Sequence, residues 1–436
     1  MIHSLSCLLW SFPALCTIAG IAVVVTGALR FVQIRYLGAA LHRVFSAKKT
    51  GAIGEITPFQ ALVNVLGTNI GNGTIVGIPC AIAIGGPGAI FWMLVMAFFA
   101  MGLRYAEVYL GVSIRQENKN GETKGGPLVY LSKVPGGFIL PLIYGGMYFC
   151  YSSIAGNAIQ CRAVTDSISQ AWGINIYYTA LLLTAFIGYA LMGGAARILK
   201  ISDLLVPLKV SVFLLVTLIT IGYNYANIIP ALTLIIRGAF DPAAVMGAFT
   251  GVTVMAAMRM GMARSVFANE AGTGSAAMLF GATGSRNAVD DSIMSILGVF
   301  ITTHVVGLLM GIAIVSSGAW NSGLSNAALA IATFGSVFGQ WAGLIVAFLT
   351  MSFGLSVLVS CSFIAREVWL WLTNGRGYLV FVILFMGITA WGSVADTAQL
   401  WDIADIVNAL LLAINLYAIL VLLPTIMRGL RAFEKK

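Results

Sequence analysis

Charge is what this sequence has least of. Asp, Glu, Lys and Arg make up 9% of the 436 residues, and the longest polar connections are 113–136 and 264–290. With 59% hydrophobic residues and a mean hydropathy of +0.96, the chain cannot cover itself with a water-compatible surface. No soluble domain of useful size is left over. An enzyme's constellations are also missing, since no Ser/His/Asp, HExxH or paired-carboxylate arrangement stands at membrane depth. GTGS at 272–275 lacks the lysine and the preceding strand of a phosphate loop. The six cysteines, Cys7, Cys16, Cys80, Cys150, Cys161 and Cys361, are scattered without CxxC spacing. That excludes a disulfide framework and a thiolate metal site, and leaves small apolar fillers. A net charge of +9 is dispersed among short loops, which excludes nucleic acid as a partner. No basic region precedes the first apolar stretch, so it reads as a retained helix and not as a cleaved signal peptide.

What is present is a series of apolar stretches of membrane-spanning length: 8–29, 57–84, 89–112, 137–159, 176–196, 203–223, 243–263, 291–316, 335–364, 377–392 and 403–425. Each is long enough for a bilayer core of about 30 Å. The expected fold class is an all-α polytopic membrane protein with about eleven transmembrane helices. Of the 24 Lys and Arg residues, all but Arg162, Lys209 and Arg237 fall in alternate loops and the C-terminal tail. The positive-inside rule then places the N-terminus outside and the C-terminus in the cytoplasm of a cell (inner) membrane.

One of these stretches is broken. GTNIGNGTIVGIPCAIAIGGPGAIFW (67–92) sets Gly67, Gly71, Gly73 and Gly77 among Asn69, Asn72 and Thr74. Glycine costs about 1 kcal/mol of helix propensity relative to alanine, and backbone groups freed at membrane depth survive only beside a cavity or buried in protein. A second break lies in 247–263, where Gly247, Gly251 and Gly261 accompany Thr250 and Thr253. Without the first helix, the breaks fall in the first and sixth of the remaining spans. Paired interruptions at corresponding positions of two halves point to a midplane binding site of a secondary transporter. The expected domain is single, 1–436. It comprises an extra N-terminal helix and loop (1–50), five-helix repeats at 55–223 and 241–425 in opposite orientation, and a tail (426–436).

Read in order, ITPFQAL (56–62), GNGTIVG (71–77), AIAIGGPGAIFWM (81–93), MGLRYAE (101–107), GGPLVYL (125–131), GNAIQ (156–160), MARSVFANEAGTGSA (262–276) and WDIADIVNALL (401–411) resemble the alanine or glycine:cation symporter family. The likeness covers nearly the whole chain. It implies a LeuT-type (amino acid-polyamine-organocation) fold with an added N-terminal helix. It also implies import of a small neutral amino acid, alanine or glycine, with sodium as coupling ion and no cofactor. Departures from the family pattern stand at Asn72 and Thr74 in the first break, at Thr253 and Ala256 in the second, and at Thr302, where an acid is usual.

A zwitterionic substrate needs donors for its carboxylate and acceptors for its ammonium, both away from bulk water. The amides of Gly73, Thr74 and Ile75, opening the second half of the first broken helix, suit the carboxylate. Asn72 stands beside them, and Gly251 and Thr253 lie in the opposite break. Carbonyls of Gly67 and Ile70 suit sodium, with the hydroxyls of Thr350 and Ser352 completing the oxygen set. The resemblance adds Gln160 and Trp401 as substrate contacts. Arg104 and Glu107, a turn apart, read as a structural ion pair, and Arg259, Arg264, Asn269 and Glu270 as an inner gate. Lys209 reads as snorkelling or paired with Asp203, unless it reaches the ion site, where it would mimic a bound cation. His304, ionisable within a span, keeps a proton-coupled transporter on the same fold open as an alternative. A transporter-derived sensor or channel is the more distant one.

Overall fold

The computed structural model describes residues 2–46, 56–117, 123–241, 253–285 and 287–435. Among them the chain is helical apart from loops and a two-residue antiparallel ladder, Gln116–Glu117 with Thr123–Lys124. A short helix α1 (Ile2–Leu9) precedes α2 (Phe12–Ala28) and α3 (Val32–Ser46). The first broken helix follows as α4 (Pro58–Asn69), a π-helical turn at Gly73–Gly77, and α5 (Ile78–Gly85). Next come α6 (Gly88–Ser113), α7 (Leu140–Ser153), a second π turn at Ile154–Ala158, α8 (Ile159–Trp172), α9 (Ile176–Met192), α10 (Gly194–Tyr223) and α11 (Ile228–Phe240). The second half holds α12 (Val254–Asn269), α13 (Ser275–Gly281), α14 (Ala288–Val299), a π segment at Phe300–Gly307, α15 (Leu308–Ser316), α16 (Asn326–Phe338), α17 (Ala342–Leu372), α18 (Tyr378–Gly392) and α19 (Thr397–Glu434).

A helix lies on each of the eleven predicted stretches, but they differ in length. Among the described residues, five helices are long and apolar enough to span a membrane, or up to seven if each bent pair counts as one span. Others are shorter, such as α9 with 17 residues and α18 with 15. The stretch at 335–364 is divided, because Gly339 takes φ 54° after Phe338 and splits α16 from α17. The loop expected after the first helix is instead helix α3, turned 74° from α2. It carries Arg35, 2.7 Å from Glu434, and Arg43, paired with Asp290. That basic, amphipathic helix fits a membrane surface better than its core.

Local sequence explains where the central helices begin and end. Thr57 caps α4 in a capping box with Gln60: its hydroxyl accepts the Gln60 amide (3.2 Å), and Gln60 Oε1 accepts the Thr57 amide (3.1 Å). Pro58 supplies the preset φ of the first turn. Thr253 caps α12 by accepting the Ala256 amide at 3.1 Å. At the other end of α12, Glu270 is left-handed (φ 49°), and Gly272 and Gly274 both stand at φ 91°. Only glycine enters that region without steric cost.

Small residues let the helices approach closely. The most extensive packing joins α6 to α12, where Gly261 lies against the Ala89 and Met93 backbone. Gly88 lies against the backbone of Gly238 in α11, so that an added Cβ would overlap the Gly238 carbonyl group. Replacing Gly88 with alanine is therefore expected to cost about 1–3 kcal/mol through overpacking. Gly146 faces open space, and the same replacement there leaves stability unchanged or raised. Thermal unfolding of the detergent-solubilised variants checks this, and equal midpoints would remove the packing argument.

Candidate functional site

The first break begins where α4 ends at Asn69 and Ile70 leaves the helical region with ψ 81°. The chain resumes helical turns at Gly73, 43° away from the direction of α4. Two backbone hydrogen bonds are redirected by that turn. The amide of Gly71 donates to Asn69 O (3.1 Å) and that of Thr74 to Gly71 O (2.9 Å). The carbonyls of Gly67 and Ile70 thus lose their regular helical donors.

Asn72, 7% exposed, points its amide at Gln160, whose Oε1 accepts at 3.1 Å. Gln160 in turn donates to Ala155 O at 3.0 Å, inside the π turn that joins α7 to α8. π turns are frequent at functional positions because they re-aim side chains without ending a helix. Asn72 Oδ1 has no partner among the described residues.

Asn72, Gly73 and Gln160 line a cavity of about 80 Å³, with Trp401, Arg264 and Glu270 on its other walls. A single water needs roughly 10–15 Å³, so the space suits several waters or one small solute. Glu270 accepts Tyr151 OH at Oε1 (3.3 Å), while Oε2 is buried without a partner among the described residues. Arg264 contacts Cys80 Sγ at 3.5 Å, and its Nε is likewise unpartnered. An acid, a guanidinium and a carboxamide are thus among the residues that line the cavity.

The wall holding Glu270 is fixed from below. Arg104 and Glu107, both fully buried, pair at 2.7 Å. Glu107 Oε2 also accepts the amides of Gly272 (2.9 Å) and Gly274 (3.0 Å) and, at 3.4 Å, the side chain of Asn415. Arg104 donates to Asn269 O. The same carbonyl accepts Asn69 Nδ2 from the first break at 3.0 Å. Asn269 and Glu270, predicted as gate residues, thus belong respectively to the joint between the first broken helix and the end of α12 and to the cavity wall.

The other expected residues are distributed as follows. Thr74 and Ile75 are buried but are not among the residues lining the cavity. Thr253 is exposed at the start of α12, and Gly251, with Gly247 and Thr250, lies outside the described residues. Of the expected sodium ligands, the Gly67 and Ile70 carbonyls both accept a hydrogen bond from Lys209 Nζ, at 3.0 Å for Gly67. Ser352 donates to Leu349 O (3.0 Å) within its own helix, and Thr350 is buried. Lys209 does not pair with Asp203, whose Oδ2 accepts from Gln60 (3.0 Å). Nor does it snorkel, since its side chain is fully buried. His304 stacks on Phe300 with ring centres 5.7 Å apart and is not among the residues lining the cavity.

The profile described as the sodium:alanine symporter family matches residues 1–436. The chain is similar to an uncharacterized transporter of Haemophilus influenzae, at 33% identity over 96% of this chain and 92% of that protein. It is similar to the sodium/alanine symporter AgcS of Methanococcus maripaludis at 31% identity over 100% of this chain and 97% of the other. Among solved structures, a manganese transporter of Eremococcus coleocola superposes with a TM-score of 0.53. The two share 15% identity over 83% of this chain and 76% of that one, a likeness of fold alone.

Removing the Glu107 carboxylate tests the support beneath the cavity. Glu107→Leu strands the Arg104 guanidinium and two amides, and is expected to cost about 3–5 kcal/mol, read as loss of monodisperse protein in size-exclusion chromatography. A leucine variant as stable as the parent would show that the carboxylate is dispensable.

Proposed function

Because the chain belongs to the sodium:alanine symporter family, we propose that it is a sodium-coupled symporter importing a small neutral amino acid, alanine or glycine, by alternating access. The observation that carries this reading is the cavity, whose polar lining residues complement a zwitterion. Arg264 and the Gly73 end of the helix suit a carboxylate, and the side chains of Glu270 and Asn72 suit an ammonium. The modest volume favours a substrate with a hydrogen or methyl side chain. Of the residues expected to bind substrate, Asn72, Gly73, Gln160 and Trp401 carry the proposal, while Thr74 and Ile75 shape the helix behind them.

Sodium needs several oxygen ligands. Thr68 and Asn69 share the cavity wall with Glu270, and we place the coupling ion on that side. In the proposed LeuT-type arrangement, residues 55–223 and 241–425 form the two repeats around this site, after the N-terminal segment 1–50. The dispersal of basic residues supports a cytoplasmic C-terminus in a cell (inner) membrane. His304 stands away from the cavity, which weighs against a proton-coupled mechanism through that residue.

Uptake of radiolabelled alanine into proteoliposomes, driven first by a sodium gradient alone and then by a pH gradient alone, tests the coupling. Uptake is expected with sodium only, and uptake with the pH gradient only would overturn the sodium reading. Gly73 has open space where a side chain would grow, so Gly73→Leu should fold and yet obstruct the cavity. Normal uptake by that variant would refute the placement. Glu270→Gln removes a charge-assisted contact worth about 1.5–3 kcal/mol. It should therefore lower uptake at limiting alanine by roughly 10- to 100-fold, and an unchanged rate would take Glu270 out of the site.

A further inference from the structure

Lys209 stands on α10, two residues after Pro207, and its side chain is fully buried. Its Nζ donates to Gly67 O at 3.0 Å and to Ile70 O, and lies 5.5 Å from the centre of the Phe353 ring on α17. These two carbonyls are the ones freed by the first break, because the amides four residues on, those of Gly71 and Thr74, are turned to Asn69 O and Gly71 O. A lysine amine has three donors and no acceptor, so it can satisfy both carbonyls at once.

Among the described residues, no carboxylate is paired with this amine. The elements packed on α10 are α4, α9, α15, α16 and α17. Of these, α4, α15 and α16 contain no titratable side chain, and α9 contributes only Tyr177, Tyr178 and Tyr189. Helix α17 carries Cys361, Arg366 and Glu367, with Glu367 paired to Arg366. On α10 itself, Asp203 accepts from Gln60. The groups addressed to Lys209 are therefore carbonyl dipoles and the face of an aromatic ring. Neutral oxygens from an interrupted helix are also what a transporter offers to a sodium ion.

We propose that Lys209 is a built-in cation: its ammonium occupies the position at the Gly67 and Ile70 carbonyls that a sodium ion would otherwise take, so the intact chain binds no sodium there. The inference rests on the symporter reading for its meaning, and it reduces the number of ions carried by one relative to a chain with that position open. The driving sodium binds on the cavity side, near Glu270. Ser356, one turn along α17 from Phe353, has a buried hydroxyl without a partner among the described residues.

Equilibrium binding of radioactive sodium to the purified full-length chain, and to the Lys209→Ala and Lys209→Arg variants, tests the proposal. Lys209→Ala is expected to bind one more sodium per chain than the parent, and Lys209→Arg the same number as the parent. Equal numbers for parent and alanine variant would overturn it. Should the alanine variant be too unstable to count, its unfolding midpoint in sodium chloride against choline chloride gives a second readout. Sodium should raise that midpoint more than it raises the parent's, and equal shifts would overturn the proposal. Failure of the parent to take up alanine would sink the symporter reading but leave the sodium comparison intact.

Discussion

The carboxylate of Glu107 is the point on which the site depends. Fully buried, it gathers the Arg104 guanidinium, the Gly272 and Gly274 amides and the Asn415 side chain. An ionised acid away from water is tolerated only when its lone pairs are filled, and here two of the donors that fill them, the Gly272 and Gly274 amides, belong to the turn that ends α12. That turn sets Glu270 in the left-handed region and so directs its side chain at the cavity. The peptide before it presents the Asn269 carbonyl to Asn69 in the first broken helix. One acid thereby fixes the end of α12 against the first break, 200 residues away in sequence.

Around this anchor the interruptions leave polar groups of two kinds. Some are satisfied within the protein: the Gly67 and Ile70 carbonyls by Lys209, and the Gln160 side chain by Asn72 and Ala155. Others are buried and unpaired, notably Glu270 Oε2 and Asn72 Oδ1. Each unpaired group costs about 1–3 kcal/mol in a protein interior. Both residues line the same small cavity, which makes it a local departure from good packing.

Much of this was legible in the chain. Apolar stretches located the helices, and glycines among Asn69, Asn72 and Thr74 located the first break, because both signals are local. The Gly339 division of α16 from α17 is missed, since its flanks are mostly apolar and hydropathy alone joins residues 335–364 across it. The π turn at Ile154–Ala158 leaves no compositional mark, as one additional residue in a helical turn needs no special side chain. The orientation of Glu270 was missed for a different reason. It follows from Glu107, more than a hundred and fifty residues away, and a motif names residues without saying which way a turn aims them. For Lys209 the sequence leaves snorkelling, pairing with Asp203 and reaching the ion site all open, and only the fold chooses the last, because its partners are carbonyls, which every residue has.

The contact between Lys209 and the first break has a kinetic side. A free ion reaches its site at whatever concentration the adjoining compartment holds. An amine joined to the backbone has an effective concentration fixed by its own short linker, which dilution leaves untouched. The two carbonyls at the break therefore experience the same local supply of positive charge whichever side of the membrane is open. Their occupancy carries no record of the gradient, and the direction of transport must be set by the groups that exchange with solution.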